Sequence, residues 1–332
     1  SLKQVYGEQL SNDWSEYSNV KLTESPFYGQ YDNGWFVGGV GSTIPSNSGS
    51  KSHRQRIDYS NDTTIVQTLL PVKTSVMNNM GEAGFGSPSH HYSVGGTNYF
   101  LGGEDGSFKF SYANSTFILI GGFTPAVSVW CAGAVSNDNY GYIAGGGDTS
   151  TINKSTINRV DFSNDFAHMD DRSELTLARR GLSGVGNQSY AWFGGGKGIS
   201  APTPSRYSST TAYSTVDRLD YSSDTTNASP KGPLSGSRGY VSATGNANYG
   251  YFGGGSAPNV DNSVSSIDRV DYSNDTVTAS PKGPLTASIW GTAATGNQVF
   301  GYWSGGVGNQ PVPFGFVPGS TPSDVWRLPA KT

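Results

Sequence analysis

Val216–Gly254 reads VDRLDYSSDTTNASPKGPLSGSRGYVSATGNANYGYFGG, and Ile267–Gly305 reads IDRVDYSNDTVTASPKGPLTASIWGTAATGNQVFGYWSG. The two 39-residue stretches align without a gap and share 22 identities. A more divergent copy spans Ile157–Gly195, and weaker ones lie nearer the N-terminus. Self-similarity at a period of this size marks a repeat architecture, in which each copy is one supersecondary unit stacked on its neighbours.

Each copy carries an aromatic–aliphatic run stopped by glycines: Trp35–Gly39, Asn98–Gly103, Tyr140–Gly147, Ala191–Gly196, Tyr249–Gly255 and Gly301–Gly306. Gly39, Gly103, Gly146, Gly195, Gly254 and Gly305 are taken as six anchors, each the second glycine of its doublet, since paired glycines after a buried strand permit positive φ and close backbone approach. A strand of small residues precedes the anchor, as in Gly239–Thr244, and turns at Gly-Asn (Gly186-Asn187, Gly245-Asn246, Gly296-Asn297). A third strand such as Ile267–Tyr272 turns at Ser273-Asn274-Asp275, and Thr276–Ser280 reads as a fourth. Four short antiparallel strands per repeat make a propeller blade.

The expected fold class is therefore all-β: one domain over residues 1–332, a six-bladed β-propeller. Ser323–Pro329 reads as the third strand of the last blade, whose missing fourth strand is expected from the N-terminus within Lys3–Leu10. The blade around Asn98–Gly103 lacks the DYS motif, so replaced or borrowed outer strands are expected in Gly106–Ser128. Pro71–Ser89 reads as an extra excursion.

The glycine doublets, with Tyr59, Phe162, Tyr221 and Tyr272 near the turn of the third strand, resemble the kelch family of β-propellers. The tryptophan that family carries shortly after the turn is absent; Val277 or Thr278 stands near its place. The wording DYSNDT…ASPKGPL…ATGN…GYFGGG is similar to repetitive structural and tail-associated proteins of marine bacteriophages. The first resemblance implies the kelch-like fold. The second implies a non-enzymatic virion component of tail, fibre or capsid surface, located on the virion or extracellularly. Its partners would be other virion proteins, or a glycan or protein of the host surface. The alternative is a cellular kelch-type scaffold that binds protein or polysaccharide.

Composition narrows the function classes. Of 332 residues 46 are glycine and 14% are charged, which suits short strands and tight turns; disorder would need fewer than 12% aromatics. A net charge of −4 and a pI near 5.5 leave no basic face for nucleic acid. The longest apolar stretch, Phe117–Phe123, is far shorter than a membrane span, so no membrane insertion is expected. The lone Cys131 precludes an intrachain disulfide and a cysteine-based zinc site.

Spacing separates scaffold from variable surface. Asp161 to Gly195, Asp220 to Gly254 and Asp271 to Gly305 each span 34 residues, whereas Gly146 to Asp161 spans 15 and Gly195 to Asp220 spans 25. All the variation lies between second and third strands, a connection that emerges on one face of a propeller. The uneven loops are 40–53, 147–156, 196–215, 255–264 and 306–322. Binding concentrates on loops free of packing duty, so Tyr207, Tyr213, Asn259, Asp261, Phe314 and Phe316 are the candidate binding residues. Neutral drift on a stable scaffold is the competing reading of these insertions.

Candidate chemistry is thin. The aspartate pairs Asp58/Asp62, Asp161/Asp165, Asp220/Asp224 and Asp271/Asp275 have too few oxygens for calcium and read as turn caps. Arg56, Arg159, Arg218 and Arg269 stand two residues before the DYS aspartate, on one strand face, and are expected in inter-blade ion pairs, with an anion-binding ring as the alternative. His90 and His91 point to opposite strand faces and make a poor chelate; His53 and His168 stand apart. No nucleophile elbow, P-loop or HExxH occurs, so no catalytic residue, metal or cofactor is expected.

Overall fold

The computed structural model describes residues 33–37, 54–59, 67–69, 83–94, 108–112, 117–119, 131–147, 152–165, 169–198, 211–257, 262–304, 306–308 and 326–328. These residues form an all-β, propeller-like arrangement of antiparallel sheets. Four sheets have four strands, and these take Ala83–Gly86, Gly133–Ser136, Ser183–Gly186 and Ser242–Gly245 as first strands. Two sheets have three: Asn33–Val37 with Arg54–Asp58 and Gln67–Leu69, and Ala293–Gly296 with Gly301–Ser304 and Trp326–Leu328. Four complete four-stranded blades are thus present among the described residues, against the six expected.

Successive first strands lie side by side, and Asn33–Val37 of the first sheet lies against Ala293–Gly296 of the last. Small residues make that crowding possible: a Cβ on Gly184 would sit 2.6 Å from the carbonyl oxygen of Ala134. Apolar side chains of facing sheets fill the space between, such as Val135, Tyr142, Leu182, Phe193 and Leu219 in one gap. Val185, Trp192, Val241, Phe252 and Val270 fill the next.

Five expectations are corrected. The fourth strand of the fifth sheet is Ser280–Lys282, not Thr276–Ser280, because Tyr272–Asn274 wind into a 3-10 turn that consumes the residues in between. Pro281 can sit there because the outermost strand needs no inward N–H. The second sheet uses His90–Val94 as its second strand, not Asn98–Gly103, and Ala83–Gly86 within the supposed excursion is its first strand. Its third and fourth strands, Phe108–Ser111 and Phe117–Leu119, are retained rather than replaced. Ser111 pairs with His90 as Asp161 pairs with Tyr140, so Lys109, Ser111 and Tyr112 are degenerate forms of Arg159, Asp161 and Phe162.

The last correction concerns glycine register. The conformational doublets are Gly145-Gly146, Gly195-Gly196 and Gly254-Gly255, with φ of 66° and 94°, 70° and 113°, 63° and 103°. Gly146 is therefore a second glycine, whereas Gly195 and Gly254 are first ones. Gly39, Gly103, Gly305 and Lys3–Leu10 lie outside the described residues. Trp326–Leu328 does pair with Gly301–Ser304, as expected of a third strand.

Neighbouring sheets are joined by a recurring polar and aromatic joint. The first aspartate of each motif caps its own turn: Asp161, Asp220 and Asp271 accept from Ser163 N, Ser222 N and Ser273 N at 2.8, 2.9 and 2.9 Å. The second aspartate, four residues on, is buried and reaches the preceding sheet. Asp165 accepts from Tyr92 Oη at 2.6 Å and Lys109 Nζ at 2.8 Å. Asp224 accepts from Tyr142 Oη at 3.1 Å and from Arg159 and Arg172, each at 2.8 Å. Asp275 accepts from Trp192 Nε1 at 2.8 Å and Arg218 at 3.0 Å. The inter-blade ion pairs expected of Arg159 and Arg218 therefore form, but with the second aspartate of the next repeat. Alongside them the motif aromatic stacks on the preceding sheet: Phe162 on Tyr92 at 5.1 Å, Tyr221 on Tyr142 at 4.8 Å, Tyr272 on Trp192 at 4.0 Å. Tyr59 of the first sheet stacks on Tyr302 of the last at 5.3 Å and shares a 2.6 Å hydrogen bond with Thr295.

Two aspartates four residues apart should therefore differ sharply in cost. Asp224→Ala strands two arginines and a tyrosine and should destabilise by about 3 kcal/mol or more. Asp220→Ala removes an exposed turn cap and should cost about 1 kcal/mol. Urea denaturation of both variants measures the difference, and equal costs would refute the division of labour.

A second test concerns mild acid. Burial pushes His91 down to about 4 from the ordinary 6.5, so it stays neutral when folded while the unfolded chain takes up a proton. Its contribution to stability is complete above pH 6.5 and is lost as pH falls toward 4. His91→Gln should flatten the decline of melting temperature across that window.

Candidate functional site on the loop face

The glycine doublet that ends each second strand also builds one face of the molecule. The second glycine donates to the carbonyl just before the next sheet's first strand: Gly146 to Arg179 at 2.9 Å, Gly196 to Arg238 at 2.9 Å, Gly255 to Ile289 at 2.8 Å. A neighbouring belt runs through the residues entering the first strands. Gly181 N donates to Cys131 O at 2.7 Å, Tyr240 N to Gly181 O at 2.6 Å, and Gly291 N to Tyr240 O at 3.0 Å. All four residues have positive φ, between 54° and 67°.

Beyond the doublets the chain leaves the blades through short bridged stems. Lys197–Gly198 pairs with Thr211–Ala212, and Ile289–Trp290 pairs with Val307–Gly308. Isolated bridges Gly147/Asn153, Gly239/Ser256 and Ser256/Ser263 do the same elsewhere. The opposite face is uniform. There Asn137, Asn187, Asn246 and Asn297 each turn the chain by accepting, at 2.7–3.0 Å, from the amides two and three residues on.

Of the candidate binding residues, Tyr213 is described. It is half-buried at the foot of the 196–215 stem, its ring packed over Gly198 and its amide bonded to Gly196 O at 2.9 Å. Tyr207, Asn259, Asp261, Phe314 and Phe316 lie outside the described residues.

Beneath the stems sit buried arginines bonded to carboxylates and carbonyls. Arg179 bonds Asp217 and the carbonyls of Gly195 and Phe193 at 2.8, 2.8 and 3.1 Å. Arg238 bonds Asp268 and Phe252 O at 3.0 and 3.1 Å. A second cationic pair, not foreseen from the sequence, lies nearby. Arg180 and Lys197 face each other across a two-bond bridge (3.1 and 2.7 Å), and both are fully buried. Lys197 Nζ has no hydrogen-bond acceptor among the described residues; it stands 5.5 Å from the centre of the Tyr240 ring. Burial, reinforced by the Arg180 charge, pushes this ammonium down to about 8. Burial raises the Cys131 thiol to about 12 against the opposing pull of Arg180.

The sequence held a signal for this pair. The positions equivalent to Arg180 and Lys197 are Gly239 and Ser256 in the next copy, and Trp290 and Val307 in the one after. Among the described residues no three His, Cys, Asp or Glu side chains converge. His90 Nδ1 is bonded to Ser89 Oγ at 2.7 Å, and His53 and His168 lie outside the described residues. No known family model matches the chain, and no curated protein is detectably similar to it.

The stem geometry makes the largest insertion separable from the scaffold. With Gly198 opposite Thr211, residues 199–210 can be replaced by Asn-Gly, the turn that suits a two-residue hairpin. The shortened chain should melt within a few degrees of the parent in a thermal scan. A large drop would mean that the insertion packs on the blades.

Proposed function

We propose that this chain is a non-enzymatic, six-bladed, kelch-like propeller of a bacteriophage virion, displaying its loop face to a host-surface glycan or protein or to neighbouring virion proteins. The observation that carries the reading is one-sided elaboration. Among the described residues, the asparagine turns of one face share one hydrogen-bond pattern and its aspartate-capped turns share another, while the other face carries stems of different lengths and sequences on the same repeated frame. A frame so regular, with variation on one face, is built for recognition. The repeat wording shared with tail-associated phage proteins supports the virion setting.

The six-blade count is part of the proposal. It is supported by the Tyr59–Tyr302 stack, which repeats between last and first sheets the contact made by Phe162, Tyr221 and Tyr272. Among the described residues the first sheet starts from a second strand and the last ends on a third, and an N-terminal segment is proposed to complete the last blade.

Mass spectrometry of purified virions should find the chain in the particle. Its absence there, with presence in host cytosol, would instead favour a cellular kelch-type scaffold for protein or polysaccharide. Tyr207→Ala with Phe316→Ala should weaken attachment to host cells at least tenfold while leaving the melting temperature unchanged. Normal attachment by that variant would reduce the loops to neutral variation.

A further inference from the structure

Among the described residues three joints between neighbouring sheets have a crossing aspartate, and a fourth shows the donors without one. Tyr251 holds in the fifth sheet the place of Tyr142 and Trp192 in the third and fourth, the third residue of the second strand. Arg269 stands where Arg159 and Arg218 do, and Lys282 where Arg172 and Lys231 do. The first of these sets meets Asp224 and the second meets Asp275. Tyr251 is 1% exposed, yet its Oη meets no hydrogen-bond acceptor among the described residues. The backbone differs in the same way. Gly232 N donates to Asp275 O at 2.8 Å, and a Cβ on Gly232 would collide with the Val277 carbonyl of that turn. Around its counterpart Gly283 no described atom lies within 4 Å of such a Cβ.

The repeat gives the crossing carboxylate an address. Asp165 lies 25 residues before Tyr190, and Asp224 lies 25 before Tyr249. Both tyrosines open a second strand and pair with a DYS aspartate, Asp220 or Asp271. In the first sheet Asn33 holds that place, opposite Asp58. The residue 25 positions before Asn33 is Glu8, a carboxylate. The register is kept in between: Gly29 precedes Asn33 by four residues, as Gly186 precedes Tyr190 and Gly245 precedes Tyr249.

We propose that Glu8, which lies outside the described residues, closes the joint on the fifth sheet, accepting from Tyr251, Arg269 and Lys282 as Asp224 accepts from Tyr142, Arg159 and Arg172. The inference rests on the reading that an N-terminal segment completes the last blade. It moves the completing strand from Lys3–Leu10 to positions starting at Asp13, five residues beyond Glu8 as Ser229 is beyond Asp224 and Ser280 beyond Asp275. A buried hydroxyl without an acceptor is unfavourable, and a carboxylate flanked by two cations answers it with directional, charge-assisted bonds. Glutamate offers that group on a side chain one methylene longer. The start of the chain is thereby clasped to the fifth sheet by an ionic contact as well as to the sixth by strand pairing.

Zero-length carbodiimide coupling of the intact protein tests the clasp, since it joins carboxylates and amines that are already in contact. Peptide mass spectrometry should find Glu8 joined to Lys282 in the monomer, alongside Asp275 joined to Lys231, which stand 3.9 Å apart and serve as the internal reference. The reference link without the Glu8 link overturns the proposal. A Glu8 link confined to covalent dimers assigns the contact to a second copy and overturns closure within one chain. Thermal melting gives a separate reading. Glu8→Gln and Tyr251→Phe should each lower the melting temperature by about 2 °C or more. Their combination should lower it no further than the larger single effect, as for groups that share one interaction. Additive losses, or no loss in Glu8→Gln, overturn the clasp. Deleting residues 1–20 distinguishes this from failure of the N-terminal strand itself: a large loss on deletion with none in Glu8→Gln removes the clasp alone, and no loss on deletion removes both.

Discussion

A carboxylate that crosses from one blade to the preceding one organises this structure. Asp165, Asp224 and Asp275 each leave their own 3-10 turn and enter a neighbour's strand, where an aromatic O–H or N–H and a cation meet them. A sheet-to-sheet contact built from apolar side chains alone would tolerate sliding, since dispersion and burial are non-directional. The charge-assisted bonds have direction, and they fix the register of each blade against the next. At Asp224 burial by itself would raise the carboxyl; the Arg172 hydrogen bond and the Arg159 charge outweigh it and hold the group below its usual range. That carboxylate is therefore ionised at neutral pH.

The other features follow from that joint. The first aspartate of the motif fixes the turn that aims the second one, so two residues of identical type have separate duties four positions apart. The motif aromatic closes over the same spot by stacking, and the strand arginine lies over the first tyrosine of its own second strand, at 4.4 Å for Arg159 on Tyr140 and 4.3 Å for Arg269 on Tyr249. On the loop side, glycines and positive-φ residues carry backbone bonds from blade to blade, leaving loop stems unneeded for cohesion. A frame tied at both ends in this way can vary one face without losing its shape.

Legibility of the chain varied with how strictly the repeat was kept. Where DYS is intact, strand order, turn chemistry and core aromatics could be read directly, because period-2 strands and Asx-type turns are local properties. In the second sheet the motif has decayed to Ser111-Tyr112 with Lys109 for arginine, and the glycines at 102–103 drew the strand assignment away from His90–Val94. Pairing decides such a case, since only one run lies opposite both Ala83–Gly86 and Phe108–Ser111. The site was harder still. Arg180 and Lys197 are 17 positions apart and unremarkable as a sequence pair, while the aromatics of the uneven loops attracted attention by composition.

What the sequence determined by itself is the unit: a strand-turn-strand-loop-strand-turn-strand repeat, its glycine stops, its capped turns, and the confinement of length variation to one connection. These depend on residues within one copy, where local sterics and hydrogen bonding suffice. Only the tertiary structure decided which aspartate crosses to the neighbour, which arginine meets it, and that two cations and a strained tyrosine from different strands share one buried place. Those are contacts between copies. A repeat written almost identically several times does not say which of its copies touch, because their meeting is set by packing across blades and not by order along the chain.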